Sequence, residues 1–170
     1  MTEPNQRIRS LLERVGQRFG GPVANVYRTL SRHTGALAGF VPLEEALREH
    51  GRLAAAERAL VALEVAVANR CDYGEGAFEV EARACGIDEA TIARISEGGL
   101  PDDPRRRPLV ESTRRVMATR GHLGRAEATL LPDRGIDEAT LMAITTLIAA
   151  DTLATYANHL AGTRIDPAFR

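Results

Sequence analysis

ERALVALEVAVANRCDYGEGAF, residues 57–78, joins an apolar run to a polar, glycine-bearing segment. Between residues 59 and 68 the only charge is Glu64, so the spacing predicts a helix over about 54–70 that is buried on most sides, the central helix of a bundle. Directly after it come Cys71, Asp72, Tyr73, Gly74 and Glu75, opening a second helix expected over 73–85 and closed by Gly86.

Outward from this pair, apolar positions recur at helical spacing and no run sustains the two-residue alternation of a half-buried strand. The expected fold is therefore all-α, a bundle of about eight to nine helices. A first helix is expected over 5–18, stopping at Gly20-Gly21, and a second over 23–38. A short third opens at Pro42, a first-turn residue, with Glu44 and Glu45 complementing its N-terminus, and closes at Gly51. Further helices are expected over 88–96, over 105–119 after the PDDP break at 101–104, over 126–131 and over 137–161. GIDEAT occurs at 86–91 and again at 135–140. In both copies the glycine can end one helix and the aspartate can cap the next; an old duplication of helical pairs is the alternative reading.

The 170 residues are expected to form one domain, 1–170. Aromatic content is only 4%, with no Trp, so the core must be built from Ala, Leu, Val and Ile. All 22 basic residues are Arg, which excludes lysine-based Schiff-base or general-base chemistry. A net charge of −1 gives no field to recruit nucleic acid, and Arg105 to Arg107, beside Asp102 and Asp103, read as a solvated helix start. The N-terminus lacks a signal-type apolar core, and no stretch reads as a run of about 20 apolar residues, so no membrane partner and a cytoplasmic location are expected. Cys71 and Cys85 are expected as reduced thiols, because one helix joining them would hold them roughly 20 Å apart. His33, His50 and His122 have no metal-ligand spacing, and no Walker or Rossmann glycine pattern occurs, so neither metal nor cofactor is expected.

The candidate catalytic residues are Cys71, Glu64 and His159. Glu57, Glu64 and Cys71 are seven apart and share a stripe if the fourth helix continues that far. A carboxylate beside a thiol can take its proton, although its charge also disfavours the thiolate. The competing reading makes Cys71 a buried core residue and Glu64 the partner of an arginine. His159 shares a helical stripe with Asp151 and Thr155, which can line a pocket or bond loops and a neighbouring subunit. Tyr73 and Tyr156 can donate to a ligand or simply pack.

Residues 57–74 resemble the segment of the carboxymuconolactone decarboxylase and AhpD-like alkylhydroperoxidase superfamily that reads ERE, an apolar helix, then NxCxYCxxxH. FGGPVANVYRTLSRH upstream, and GIDEATIARI, DDPRRRPLVESTRRVMATRGHLG and DTLATYANHLAGTRIDPAF downstream, extend the likeness over almost the whole chain. The resemblance implies an AhpD-like bundle and a homo-oligomer, a trimer or a multiple of it. In redox-active members it implies two cysteines, a histidine and a glutamate. Carried over, the first cysteine is Cys71, the second falls on Gly74, the histidine on Phe78 and the glutamate on Ala59. Asn158 and His159 match the family's C-terminal Asn-His pair, whereas Asp151 stands where the family's NTLTNY wording has its first asparagine. Two-cysteine peroxidase chemistry is therefore not expected here. The expectation is a pocket at Ala59, Tyr73, Gly74 and Phe78 that binds or transforms a small organic molecule by non-redox chemistry. A non-catalytic oligomeric protein and a one-cysteine peroxidase or thiol-exchange enzyme are the alternatives.

Overall fold

A computed structural model describes residues 3–19 and 21–170; Gly20, half of the expected Gly20-Gly21 stop, lies outside them. Among the described residues the chain forms nine α-helices, two 3-10 turns and no strand. The helices are α1 (Glu3–Phe19), α2 (Asn25–Leu30), α3 (Thr34–Glu49), α4 (Ala55–Ala68), α5 (Asp72–Ala84), α6 (Glu89–Ser96), α7 (Arg107–Thr119), α8 (Arg125–Leu130) and α9 (Glu138–Ala161). The all-α fold and the number of helices are as the periodicity predicts.

Helix α4 packs on α5, α6, α7 and α9, and residues Ala59 to Ala66 are all buried, Glu64 included. Two apolar clusters meet on it. In one, Leu11, Val15, Leu30, Leu37 and Val41 of the first three helices pack with Val61 of α4 and with Ile144 and Leu147 of α9. In the other, Leu60 and Leu63 pack with Ala82, Ile92, Ile95 and Val110. Each fully buried leucine contributes roughly 1.5–3 kcal/mol of transfer free energy, so the aromatic-poor core is held by many aliphatic contacts.

Both GIDEAT copies act as turn and cap. Gly86 and Gly135 take left-handed φ of 79° and 80°, and Asp88 and Asp137 each accept the backbone N–H three residues on at 2.8 Å.

Four expectations are corrected. The predicted 23–38 helix is broken: α2 ends at Leu30, and His33 caps α3 by accepting from Ala36 N through Nδ1 at 3.2 Å. Pro42 therefore lies inside α3 rather than opening a helix. The fourth helix stops at Ala68, so Cys71 is not on its stripe with Glu57 and Glu64. Finally, α9 is long and apolar enough, by length and composition, to cross a membrane. Its inner side nevertheless buries Asp151, Thr155 and Asn158 and packs on α2, α3, α4, α5 and α7.

Candidate functional site

The turn between α4 and α5 has no glycine. Arg70 takes the left-handed conformation, φ 54°, so that Arg70 N donates to Val67 O and Cys71 N donates to Ala66 O at 2.9 Å. This pairing closes the end of α4 and delivers Cys71 as the cap of α5, its Sγ accepting from Gly74 N at 3.4 Å. Cys71 is 1% exposed. Cys85 closes the other end of α5, so the two free thiols stand at opposite ends of one helix, as expected.

The glycines of α5 are contact points. A Cβ on Gly74 would lie 3.0 Å from the Ala66 methyl and 3.5 Å from Cys71 Sγ; its absence lets α5 close on α4. A Cβ on Gly76 would come within 2.4 Å of Phe169 O, so the C-terminal turn needs glycine there. That turn is tied down at Tyr73, whose hydroxyl donates to Asp166 Oδ2 at 2.5 Å and accepts from Val26 N at 3.2 Å, and whose ring meets Phe169 edge-on. Tyr73 thus spends its hydroxyl on the fold.

The other motif positions are apolar. Ala59 and Phe78 belong to the second core cluster, filling with hydrocarbon the places where the resemblance puts a carboxylate and an imidazole. Glu64 is bound by Arg114 of α7, whose guanidinium also donates to the carbonyls of Gly98 and Gly99. His159 is exposed, with Nε2 3.2 Å from Arg70 O. The buried stripe of α9 runs through Asp151, Thr155 and Asn158 instead of reaching His159, because residues i, i+4 and i+7 follow the inner face more closely than i+8. Cys71 and His159 are brought to the same turn, while Glu64 is engaged elsewhere.

A polar centre the motif does not include lies beside Phe78. Glu44, Leu47 and Arg48 of α3, Arg58 and Ala62 of α4, Phe78 and Glu81 of α5, and Leu147, Ala150 and Asp151 of α9 enclose a pocket of about 30 Å³, room for one or two waters. Arg48 donates to Glu81 at 3.2 Å and to Glu44 at 3.5 Å, and Tyr27 donates to Glu44 at 2.7 Å. Asp151 is 9% exposed, and its Oδ2 has no hydrogen-bond partner. Burial pushes its carboxyl well above the usual carboxylate range, helped by Glu44 and Glu81 and opposed by Arg48. In the sequence the one signal for this centre was Asp151 itself, an acid in an otherwise apolar helix; its neighbours come from three other helices. An open groove along α1, lined by Ile8, Leu12 and Val23, is larger at about 810 Å³, but no motif position lines it.

Residues 35–102 match the carboxymuconolactone decarboxylase family. An uncharacterized peroxidase-related protein from Ralstonia eutropha JMP134, described as an alkylhydroperoxidase AhpD core, superposes with a TM-score of 0.84 at 22% identity, covering 95% of this chain and 86% of that one. A second uncharacterized peroxidase-related protein, from Silicibacter sp. TM1040, gives 0.82 at 17% identity over 100% and 92%. The chain thus carries a carboxymuconolactone decarboxylase family segment over two fifths of its length and shares its overall fold with these AhpD-like proteins. No curated protein sequence matches it. Within the fold, the matched segment runs from the start of α3 to beyond α6 and so contains Arg48, Arg58, Cys71, Phe78 and Glu81. Asp151 joins them from α9, outside that segment.

Proposed function

We propose that this chain is a cytoplasmic member of the carboxymuconolactone decarboxylase/AhpD-like superfamily that binds or transforms a small organic molecule by non-redox chemistry, at the pocket beside Phe78 rather than at the Cys71 thiol. The observation that carries this reading is the unpartnered Asp151 carboxyl, held inside a pocket with Arg48 and Glu81 and next to the position where the resemblance implies an imidazole. Buried polar groups are almost always bonded, so one left open on a residue that lines a cavity marks a place for a ligand atom. Cys71 has no second thiol at Gly74 and is only 1% exposed, which weighs against a one-cysteine peroxidase or thiol-exchange role. The test is a ligand-binding screen on wild type, Cys71→Ser and Asp151→Asn. Binding kept within a few-fold in Cys71→Ser and lost in Asp151→Asn supports the reading; a hundredfold loss in Cys71→Ser, about 2.7 kcal/mol, sinks it.

A second reading, a homo-oligomer that is a trimer or a multiple of it, is favoured by the outer face of α9. Met142, Leu153, Tyr156 and Leu160 stand exposed along it, Leu160 at 90%, with no charged residue among them. Single exposed apolar side chains are ordinary, but an uncharged stripe several turns long suits a helix that packs on another subunit. Light scattering on wild type and on Leu153→Glu/Leu160→Glu decides it: a monomeric wild type ends the oligomer reading.

A further inference from the structure

The pocket beside Phe78 has a definite chemical complement. Its open atom is Asp151 Oδ2, a carboxyl oxygen, and the guanidinium of Arg48 is already directed at Glu81 and Glu44. The lining sets three carboxyls, Glu44, Glu81 and Asp151, against two guanidiniums, Arg48 and Arg58, and Arg48 is already taken up by Glu44 and Glu81. An anion is therefore repelled there, and a cation that donates an N–H is attracted. About 30 Å³, room for one or two waters, suits a headgroup of one or two heavy atoms such as an ammonium or methylammonium group. The remaining wall is apolar, with Phe78 offering an aromatic ring and Leu47, Leu147 and Ala150 offering hydrocarbon.

We propose that this pocket holds the ammonium headgroup of a small primary amine, with the Asp151 carboxylate as its anchor and Phe78, Leu47 and Leu147 around its alkyl end. The inference rests on the reading of this pocket as a ligand site and names the class of ligand. The amine brings its own positive charge, so Asp151 gives up its proton to solvent when the cation enters, and no redox partner or co-reactant is needed. Affinity consequently rises with pH while Asp151 passes from acid to carboxylate. The charged groups facing Asp151 in the pocket are Glu44 and Arg48 from α3, Arg58 from α4 and Glu81 from α5; α9 contributes no second one. Tyr27 of α2 stands behind Glu44.

The experiment is a titration of the full chain, followed by NMR at constant ionic strength, with methylammonium chloride, tetramethylammonium chloride, sodium acetate and acetamide. Saturable methylammonium binding is expected, at least tenfold weaker in Asp151→Asn, weakened also in Glu81→Gln, and tighter at pH 8 than at pH 5. Tetramethylammonium, which has no N–H and exceeds the cavity, is expected not to compete. Circular dichroism on both variants separates loss of the site from loss of the fold. Methylammonium binding no better than tetramethylammonium, or unchanged in Asp151→Asn, overturns the amine site. If acetate or acetamide instead shifts the Phe78 and Asp151 resonances, the pocket stands as a ligand site and only the ligand class is wrong. If no probe perturbs the pocket, both readings fall.

Discussion

Glu64 and Arg114 close a two-pronged ion pair between α4 and α7, with Nε to Oε1 and Nη2 to Oε2 each 2.8 Å. The carboxylate is 1% exposed, and Arg114, partly in solvent, reaches in to meet it. A buried carboxylate with both oxygens matched by one guanidinium is a structural partner, its charge neutralised and one lone pair of each oxygen engaged.

Arg114→Ala is expected to cost about 3 kcal/mol, the low end for stranding a buried charge because part of the pair is hydrated. The double variant Glu64→Leu/Arg114→Met should recover most of that loss, since an apolar pair needs no desolvation. Urea denaturation of the three proteins measures this, and ligand binding at the Asp151 pocket should survive in the double variant. Loss of binding there would restore Glu64 as a catalytic candidate.

The stability contribution of Asp151 has a definite sign with pH. Its folded-state pKa is raised above the ordinary carboxylate value of about 3.9, so between those two values the native state holds a proton that the unfolded chain has released. Unliganded wild type is therefore expected to lose stability as pH rises above about 4, and Asp151→Asn, with no proton to lose, to gain relative to it over the same window. Denaturation midpoints of both proteins from pH 4 to pH 8 check this. A constant difference across that range would mean that Asp151 ionises normally.

Tyr73→Phe removes the hydroxyl that joins α5, the start of α2 and the C-terminal turn. Two hydrogen bonds are lost, one of them to the Asp166 carboxylate, so a destabilisation of about 2 kcal/mol is expected. Asn25 N still donates to Asp166 Oδ2 at 3.0 Å and Thr29 still meets Thr163, so the turn should loosen without leaving. Faster proteolysis confined to residues after Gly162, with unchanged far-UV circular dichroism, is the expected result.

Alkylation of the two thiols should differ sharply. Cys71 is buried at the α4–α5 turn, whereas Cys85 is partly open at the far end of α5. Iodoacetamide labelling read by peptide mass spectrometry is expected to modify Cys85 first, with Cys71 following only as the protein unfolds in urea. Prompt native-state labelling of Cys71 would revive the one-cysteine alternative.

What the chain states locally, it states legibly. The helical periodicity, the Asp88 and Asp137 caps and the burial of α4 follow from residues within a turn or two of one another, and one sequence contains all of that information. The stop of α4 was harder to read because Arg70 takes a left-handed turn without a glycine to announce it. Pro42 misled for a related reason: a proline opens helices well, yet α3 carries it inside because His33 had already capped the helix nine residues earlier.

The site belongs to the tertiary structure. The sequence by itself carried the family resemblance, matched over residues 35–102, and placed Gly74, Phe78 and Ala59 at the motif positions. It could not assign Glu64 to Arg114, 50 residues away, or gather Arg48, Arg58, Glu81 and Asp151 from four helices around one small cavity. Periodicity fixes which side of a helix is buried; only packing between helices decides which buried polar atoms find partners and which, like Asp151 Oδ2, are left open.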